Sequence, residues 1–314
     1  MTEHAHQAVP ATMRAWQPYA VLLIGVLAVS TAAIFIRLAQ EEGAPSLVLA
    51  AARLAVASLV LTPIVLRRHR AELHTIRVRD MWLAVAAGVA LGLHFASWIT
   101  SLEYTAVVNS VTLVTTNPLW VALMTPLVLK ERVGRWTMAG LVLALGGGII
   151  VALSGEAGTP PTRQEPLLGN GLALFGAWMV SIYFVIGRQL RSRLSVMTYI
   201  WLVYSVAAVL LSMVVVVSGQ QVLGLPGEAY LWMVLMGLVP QLIGHSAFNY
   251  ALGFLPAAYV TMVALFEPVG SGLLAMLLLD EWPVPLQLAG ATLILVGIAL
   301  ATRESRVGKT DITD

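Results

Sequence analysis

Residues 117–147 read NPLWVALMTPLVLKERVGRWTMAGLVLALGG, and residues 267–297 read EPVGSGLLAMLLLDEWPVPLQLAGATLILVG. A shift of 150 positions places Asn117-Pro118 on Glu267-Pro268, Glu131 on Glu281, Gly140 on Gly290 and Gly147 on Gly297. Working outward, Trp82 falls on Trp232, and the register runs without a gap from Trp82 to about Ala152. The repeated unit holds five apolar spans. An odd number makes the second copy enter the membrane from the opposite side, which is the sequence form of an inverted-topology repeat.

Composition agrees with a chain that lives in lipid. Of 314 residues, 59% are hydrophobic and 11% charged, and the mean hydropathy is +0.85. A soluble domain carries about a quarter charged residues. Cysteine is absent, which excludes disulfides, Cys-ligated zinc, iron–sulfur clusters and thiol catalysis. The net charge of +2 does not point to nucleic acid, because the basic residues sit in short loops beside apolar spans.

Ten spans are expected, at residues 17–38, 46–66, 81–102, 106–129, 136–154, 167–187, 196–218, 229–251, 257–279 and 286–302. A 30 Å hydrocarbon core needs roughly 20 apolar residues per helix, and backbone without water must be helical. The expected fold is therefore an all-α integral membrane protein with ten transmembrane helices in two inverted-topology five-helix repeats. The repeats run over 17–154 and 167–302, joined by an extracytoplasmic linker at 155–166. Tails at 1–16 and 303–314 are assigned to the cytoplasm. With the N-terminus inside, 15 of the 18 Lys and Arg fall on the inner side, and Arg37, Arg53 and Arg163 are the exceptions. That bias fixes the orientation. The expected location is the cytoplasmic (inner) membrane of a prokaryote, multi-pass, with both termini inside. The first apolar run is of spanning length and reads as a transmembrane helix rather than a cleaved signal.

Spans four and nine each carry a proline near the middle. Pro118 and Pro268 lack an N–H, so the carbonyls of Val114 and Ala264 lose their helical donors and a kink is expected. Asn117 lies about 11 residues into span four and Glu267 about 10 into span nine. At 1.5 Å per residue both sit roughly 15 Å deep. Glu267 is the one acidic residue clearly inside a span. A charged carboxylate at that depth costs at least about 2.5–3.5 kcal/mol, so it must face a cavity, pair, or hold a proton. Two readings are open: a proton-coupling or substrate-contacting group, or a neutral side chain bonded to a neighbouring helix.

Polar stripes mark further cavity candidates. His94, Ser97, Trp98 and Ser101 follow i, i+3, i+4, i+7 spacing on span three. Gln241, His245, Phe248 and Asn249 share a face of span eight, and Asn109, Thr112, Thr116 and Asn117 mark span four, with Trp120 a turn beyond. Such stripes on Leu/Val/Ala helices point inward, either into a cavity or to join helices. Trp178 and Tyr183 on span six and Tyr259 on span nine complete the candidates. Arg37 is expected to snorkel or pair with Glu41 or Glu42, and Arg53 to make a structural pair. No HExxH or third ligand accompanies the histidines, so no metal, cofactor or catalytic constellation is expected.

The stretches 102–133 (LEYTAVVNSVTLVTTNPLWVALMTPLVLKERV) and 257–281 (AAYVTMVALFEPVGSGLLAMLLLDE) resemble the ends of the two repeats of the EamA-type branch of the drug/metabolite transporter superfamily. The resemblance covers the chain from about residue 17 onward. It implies a central cavity lined by the first, third, fourth, sixth, eighth and ninth helices. It also implies export or exchange of small metabolites such as amino acids, nucleobases or drug-like compounds, in places with proton coupling. The Glu267-Pro268 pair is shared widely in that family, which leaves a structural role as open as a functional one. The expected partners are a small-molecule substrate, the lipid bilayer and protons, with monomer and homodimer both open. The competing classes are a passive channel, for which no selectivity loop is visible, and a membrane-embedded enzyme, for which acids and ligands are scarce.

Overall fold

The computed structural model describes residues 16–129, 134–153, 165–280, 282 and 284–307. Most of both tails, most of the 155–166 linker, and Glu131 and Glu281 lie outside the described residues.

The first copy of the repeat contributes α1 (Gln17–Ser30), α2 (Ala32–Glu41), α3 (Ser46–Arg68), α4 (Arg70–Thr75), α5 (Val78–Tyr104), α6 (Val107–Val114), α7 (Asn117–Val128) and α8 (Arg135–Leu153). The second contributes α9 (Pro166–Arg191), α10 (Val196–Val217), α11 (Gly227–Met236), α12 (Ser246–Leu252), α13 (Ala257–Ala264), α14 (Glu267–Leu278) and α15 (Pro285–Val307). Between α11 and α12 the helix widens to π geometry over Gly237–His245, around Pro240. A proline inside a helix removes one backbone donor, and a wider turn is one way to absorb the mismatch.

Among the described residues, eight helical spans are long and apolar enough to cross a membrane. Two shorter apolar helices, Arg135–Ile150 and Pro285–Gly297, fall below that length. They belong to α8 and α15, the last elements of the two copies. Spans four and nine do not simply kink. Each is broken, at Thr115–Thr116 and at Leu265–Phe266, and a new helix starts with Asn117-Pro118 or Glu267-Pro268 in its first turn. Proline fits the first turn because its missing N–H would have no intrahelical partner there.

The packing obeys the two-fold relation that the repeat suggests. Helix α3 packs on its counterpart α10, and α8 on its counterpart α15. The pair α5–α9 mirrors the pair formed by α1 with the π segment and α12. The first half of each broken span lies against the second half of the other, α6 on α14 and α13 on α7. Individual contacts repeat as well. A Cβ on Gly88 would stand 2.6 Å from Val206 Cβ, and one on Gly237 would stand 2.5 Å from Val56 Cβ. Where α8 crosses α15, a Cβ on Gly147 would come within 2.5 Å of Gly290 O. A Cβ on Gly297 would overlap Gly140 O in the equivalent way.

Hydrogen bonds repeat too. Arg37 Nη1 donates to Leu102 O at 2.9 Å, and Arg188 Nη1 donates to Leu252 O at 2.9 Å. Gln40 Nε2 reaches Ile99 O at 3.1 Å, and Arg191 Nε reaches Asn249 O at 3.1 Å. Arg37 is buried and so does not snorkel. It serves carbonyls at the C-terminal end of α5, which helix geometry leaves without donors.

A clasp closes the side that the charge bias assigns to the cytoplasm. Ser195 N–H and Oγ–H each donate to Glu72 at 2.6 Å, and Thr198 Oγ1–H donates at 2.5 Å. Arg193 pairs with Asp80 at 2.9 Å. Burial pushes the Glu72 carboxyl up, but the bonds from Ser195 and Thr198 together outweigh it and hold it below its ordinary 4.5.

Two outcomes are expected. Gly147→Leu forces α8 and α15 apart and lowers stability by about 1–3 kcal/mol, read as a fall in Tm of the detergent-solubilised protein; an unchanged Tm contradicts the backbone contact. The Glu72 clasp is tested by comparing wild type with Glu72→Gln across pH. Because the folded value is depressed, its contribution is complete above pH 4.5 and disappears as pH falls through the folded value. The stability gap between the two proteins therefore narrows only on the acid side of that point.

Candidate functional site

The two breaks face each other across a small cavity at the centre of the molecule. Its wall is made by Arg53 from α3, His94 and Trp98 from α5, Val114 and Thr115 at the end of α6, and Asn117 at the start of α7. Val180 and Phe184 from α9, His245 and Phe248 from span eight, and Ala264 and Glu267 from span nine complete it. The volume is about 20 Å³, room for on the order of one water. Most of its lining is buried, and Glu267 is half-buried.

Arg53 is the centre of the polar wall. It is 0% exposed. Its Nε donates to Gln241 Oε1 at 2.7 Å, and its Cζ lies 4.0 Å from the Phe95 ring centroid and 5.9 Å from that of Trp98. A cation over an aromatic face gains more as water is removed. His94 stacks on Trp98 with centroids 5.9 Å apart, and its Nδ1 bonds Gly176 O at 2.9 Å. His245 sits edge-on to Phe95 at 5.2 Å, and the two imidazoles are 6.3 Å apart. Asn117 and Glu267 occupy equivalent first-turn positions in α7 and α14, where a helix N-terminus favours negative charge. Ser181 Oγ–H donates to Asn117 O at 3.1 Å, tying α9 to the first break. Arg53 and Glu267 share the wall, yet no ion pair joins them among the described residues.

The other sequence candidates are distributed around this centre. Ser97 is buried and bonds back to Leu93 O and His94 O, and Ser101 bonds Ser110 at 2.6 Å. Asn249 joins Tyr183 OH and His245 O, so both belong to a shell behind the wall. Asn109 is buried on α6. Thr112, Thr116 and Pro118 line a separate small cavity against α8 and α15, of about 10 Å³. Tyr259 packs edge-on to Tyr19 at 5.8 Å, and Trp120 is half-buried. Pro268 is buried in the first turn of α14. Trp178 is 48% exposed, meets Phe175 edge-on and does not line the cavity.

The residue that the polar-stripe argument passed over is Arg53. Its neighbours on α3 are Ala and Leu, so no stripe marked its face. The available signal was a cation eight residues into an apolar span. No group of three or more metal-ligating side chains occurs among the described residues.

The family model for the EamA-like transporter family matches residues 16–153 and again 167–303. The chain belongs to the EamA-like transporter family. Similar proteins include an uncharacterized transporter of Archaeoglobus fulgidus, 25% identical over 67% of this chain and 72% of that one. An uncharacterized protein of Pseudomonas aeruginosa is 33% identical over 57% of this chain and 58% of its own. A solved crystal structure superposes with a TM-score of 0.70 at 18% identity, covering 92% of this chain and 99% of the other. At that identity the likeness is one of fold. The EamA repeat units and the two-fold contacts divide the chain in the same place.

The Arg53–Gln241 bond yields a prediction. Gln241→Leu leaves a buried charged donor without its acceptor and costs about 1–3 kcal/mol. The double variant Arg53→Met/Gln241→Leu removes both polar groups and is expected to recover part of that loss. Thermal unfolding in detergent measures both, and a double variant less stable than the single one contradicts the account.

Proposed function

We propose that this EamA-family protein is a secondary transporter, an exporter or exchanger of a small organic metabolite, working by alternating access. In this reading α8 and α15 complete ten spans, the protein lies in a cytoplasmic membrane with both termini inside, and it performs no covalent chemistry. The observation that carries the proposal is a small polar cavity at the meeting point of two broken spans, flanked by contacts that repeat two-fold.

That repetition supplies a mechanism. Arg37 ties the outer end of α5, and Arg188 ties the inner end of α12, by equivalent bonds. With both ties made the cavity is closed. Releasing one end opens the cavity to one side of the membrane, and releasing the other end opens it to the opposite side. The two open states are then related by exchange of the roles of the halves, as inverted repeats permit. Glu267 is the coupling group in this reading, since it is the carboxylate of the cavity wall and its counterpart Asn117 cannot titrate.

The test is flux in proteoliposomes across a panel of labelled amino acids, nucleobases and organic acids, with and without a pH gradient. Wild type is expected to show saturable counterflow and gradient-driven accumulation. Glu267→Gln is expected to keep exchange and lose accumulation. Linear, unsaturable flux without trans-stimulation would identify a passive pore instead.

A further inference from the structure

Arg53 holds two unused hydrogen-bonding nitrogens. Nε is taken by Gln241, but Nη1 and Nη2 are buried and have no protein partner. Trp98, in the same wall, keeps its buried indole N–H unpartnered. His245 Nδ1 and the Asn117 amide oxygen, an acceptor, are also buried and unpartnered in this wall, but the two free donors on one charged group are those of Arg53. The planar edge formed by Nη1 and Nη2 matches a carboxylate, which accepts two parallel hydrogen bonds from it. Beside this fork the wall is apolar and aromatic, with Val180, Phe184 and Phe248.

Charge balance adds a second requirement. With Arg53 cationic and Glu267 anionic the empty site sums to zero. A carboxylate arriving on Arg53 adds one negative charge to a largely buried site, where net charge is costly. A proton arriving with it restores neutrality. Other groups that could take the proton are His94 on α5 and His245 on the π segment. Both rings pack around Phe95, over which the Arg53 cation lies, so a proton there would set two cations side by side. Tyr183 on α9 and Tyr204 on α10 carry neutral hydroxyls, and Tyr19 and Tyr259 pack on each other at the α1–α13 contact. Glu267 is the group whose protonation removes an excess anion.

Resting on the transporter reading above, we propose that the substrate is a small carboxylic acid with an apolar or aromatic body, bound as its carboxylate by Arg53 together with one proton on Glu267. The loaded and empty sites then carry the same net charge, and the translocated load is electrically neutral. Transport responds to a pH gradient and to the substrate gradient, and is indifferent to membrane potential. The cavity volume is smaller than any such acid, so loading requires the halves to part.

The experiment is calorimetric binding to the full-length protein in nanodiscs, in two buffers of different ionisation enthalpy. The probes are phenylpropanoate, its amide, phenylalanine and phenethylamine. Phenylpropanoate is expected to bind with uptake of about one proton, and the amide to fail. Arg53→Gln should weaken the acid by on the order of 100-fold. Arg53→Lys, which keeps the charge and loses the fork, should weaken it less while keeping the proton uptake. Glu267→Gln should bind the acid with no proton uptake. Binding of phenylalanine without proton uptake and in preference to phenylpropanoate would overturn the proposal in favour of a zwitterion site. Preference for phenethylamine, no binding of any acid, or an unchanged affinity in folded Arg53→Gln would also overturn it. Counterflow of a solute lacking a carboxylate would keep the transporter reading and remove this one. Acid binding with proton uptake but no flux in liposomes would do the reverse.

Discussion

A fully buried guanidinium in a protein surrounded by lipid is the constraint around which this structure is arranged. Taking an ion out of water costs several kcal/mol even after the protein relaxes, and lipid offers nothing in return. Arg53 is compensated by Gln241 from span eight and by the faces of Phe95 and Trp98 from span three. These groups come from both copies of the repeat. The cation therefore holds the two halves around one point, and the π geometry through Pro240 lies where Gln241 and His245 must both reach it.

The scaffold is symmetric and the chemistry is not. Backbone approaches, arginine ties and small-residue contacts recur at or within one residue of the 150-residue shift. The polar groups of the cavity fall where the shift pairs unlike residues: Arg53 with Val203, Gln241 with Leu91, His245 with Phe95, and Glu267 with Asn117. In the proposed transporter, symmetry supplies two equivalent ways to open and asymmetry a single oriented binding site, since a symmetric set of charges would repel itself at this depth.

Much of this was legible in the sequence because the repeat is nearly gapless and hydrocarbon dictates helix. The depth of Glu267 and Asn117 followed from counting residues along a span. Three features were not legible. A helical stripe needs several polar residues to reveal a face, and Arg53 stands alone among Ala and Leu. Trp178 has the composition of a cavity residue but points outward, because an aromatic side chain is equally at home in lipid. Thr112 and Thr116 share the stripe of Asn117, yet the break at Thr115–Thr116 separates them from it. Proline announces a disturbance without saying whether the helix will bend, widen or stop. Here Pro63 is carried within α3, Pro240 lies in the π turn, and Pro118 and Pro268 begin new helices.

The crossing of α8 and α15 has a further consequence. Most helix pairs interlock through side chains, ridge into groove, and their angle is set by which ridges engage. At Gly147 and Gly297 the nearest approach is to backbone, with only the Ile294 and Ala144 side chains beside it, so there are few teeth to engage. Such a joint imposes a distance but only weakly an angle. Two bodies joined there can rock with little repacking of side chains at the axis, which weakens one source of the all-or-none resistance typical of close-packed interiors. The glycines that make the crossing tight also make it a bearing.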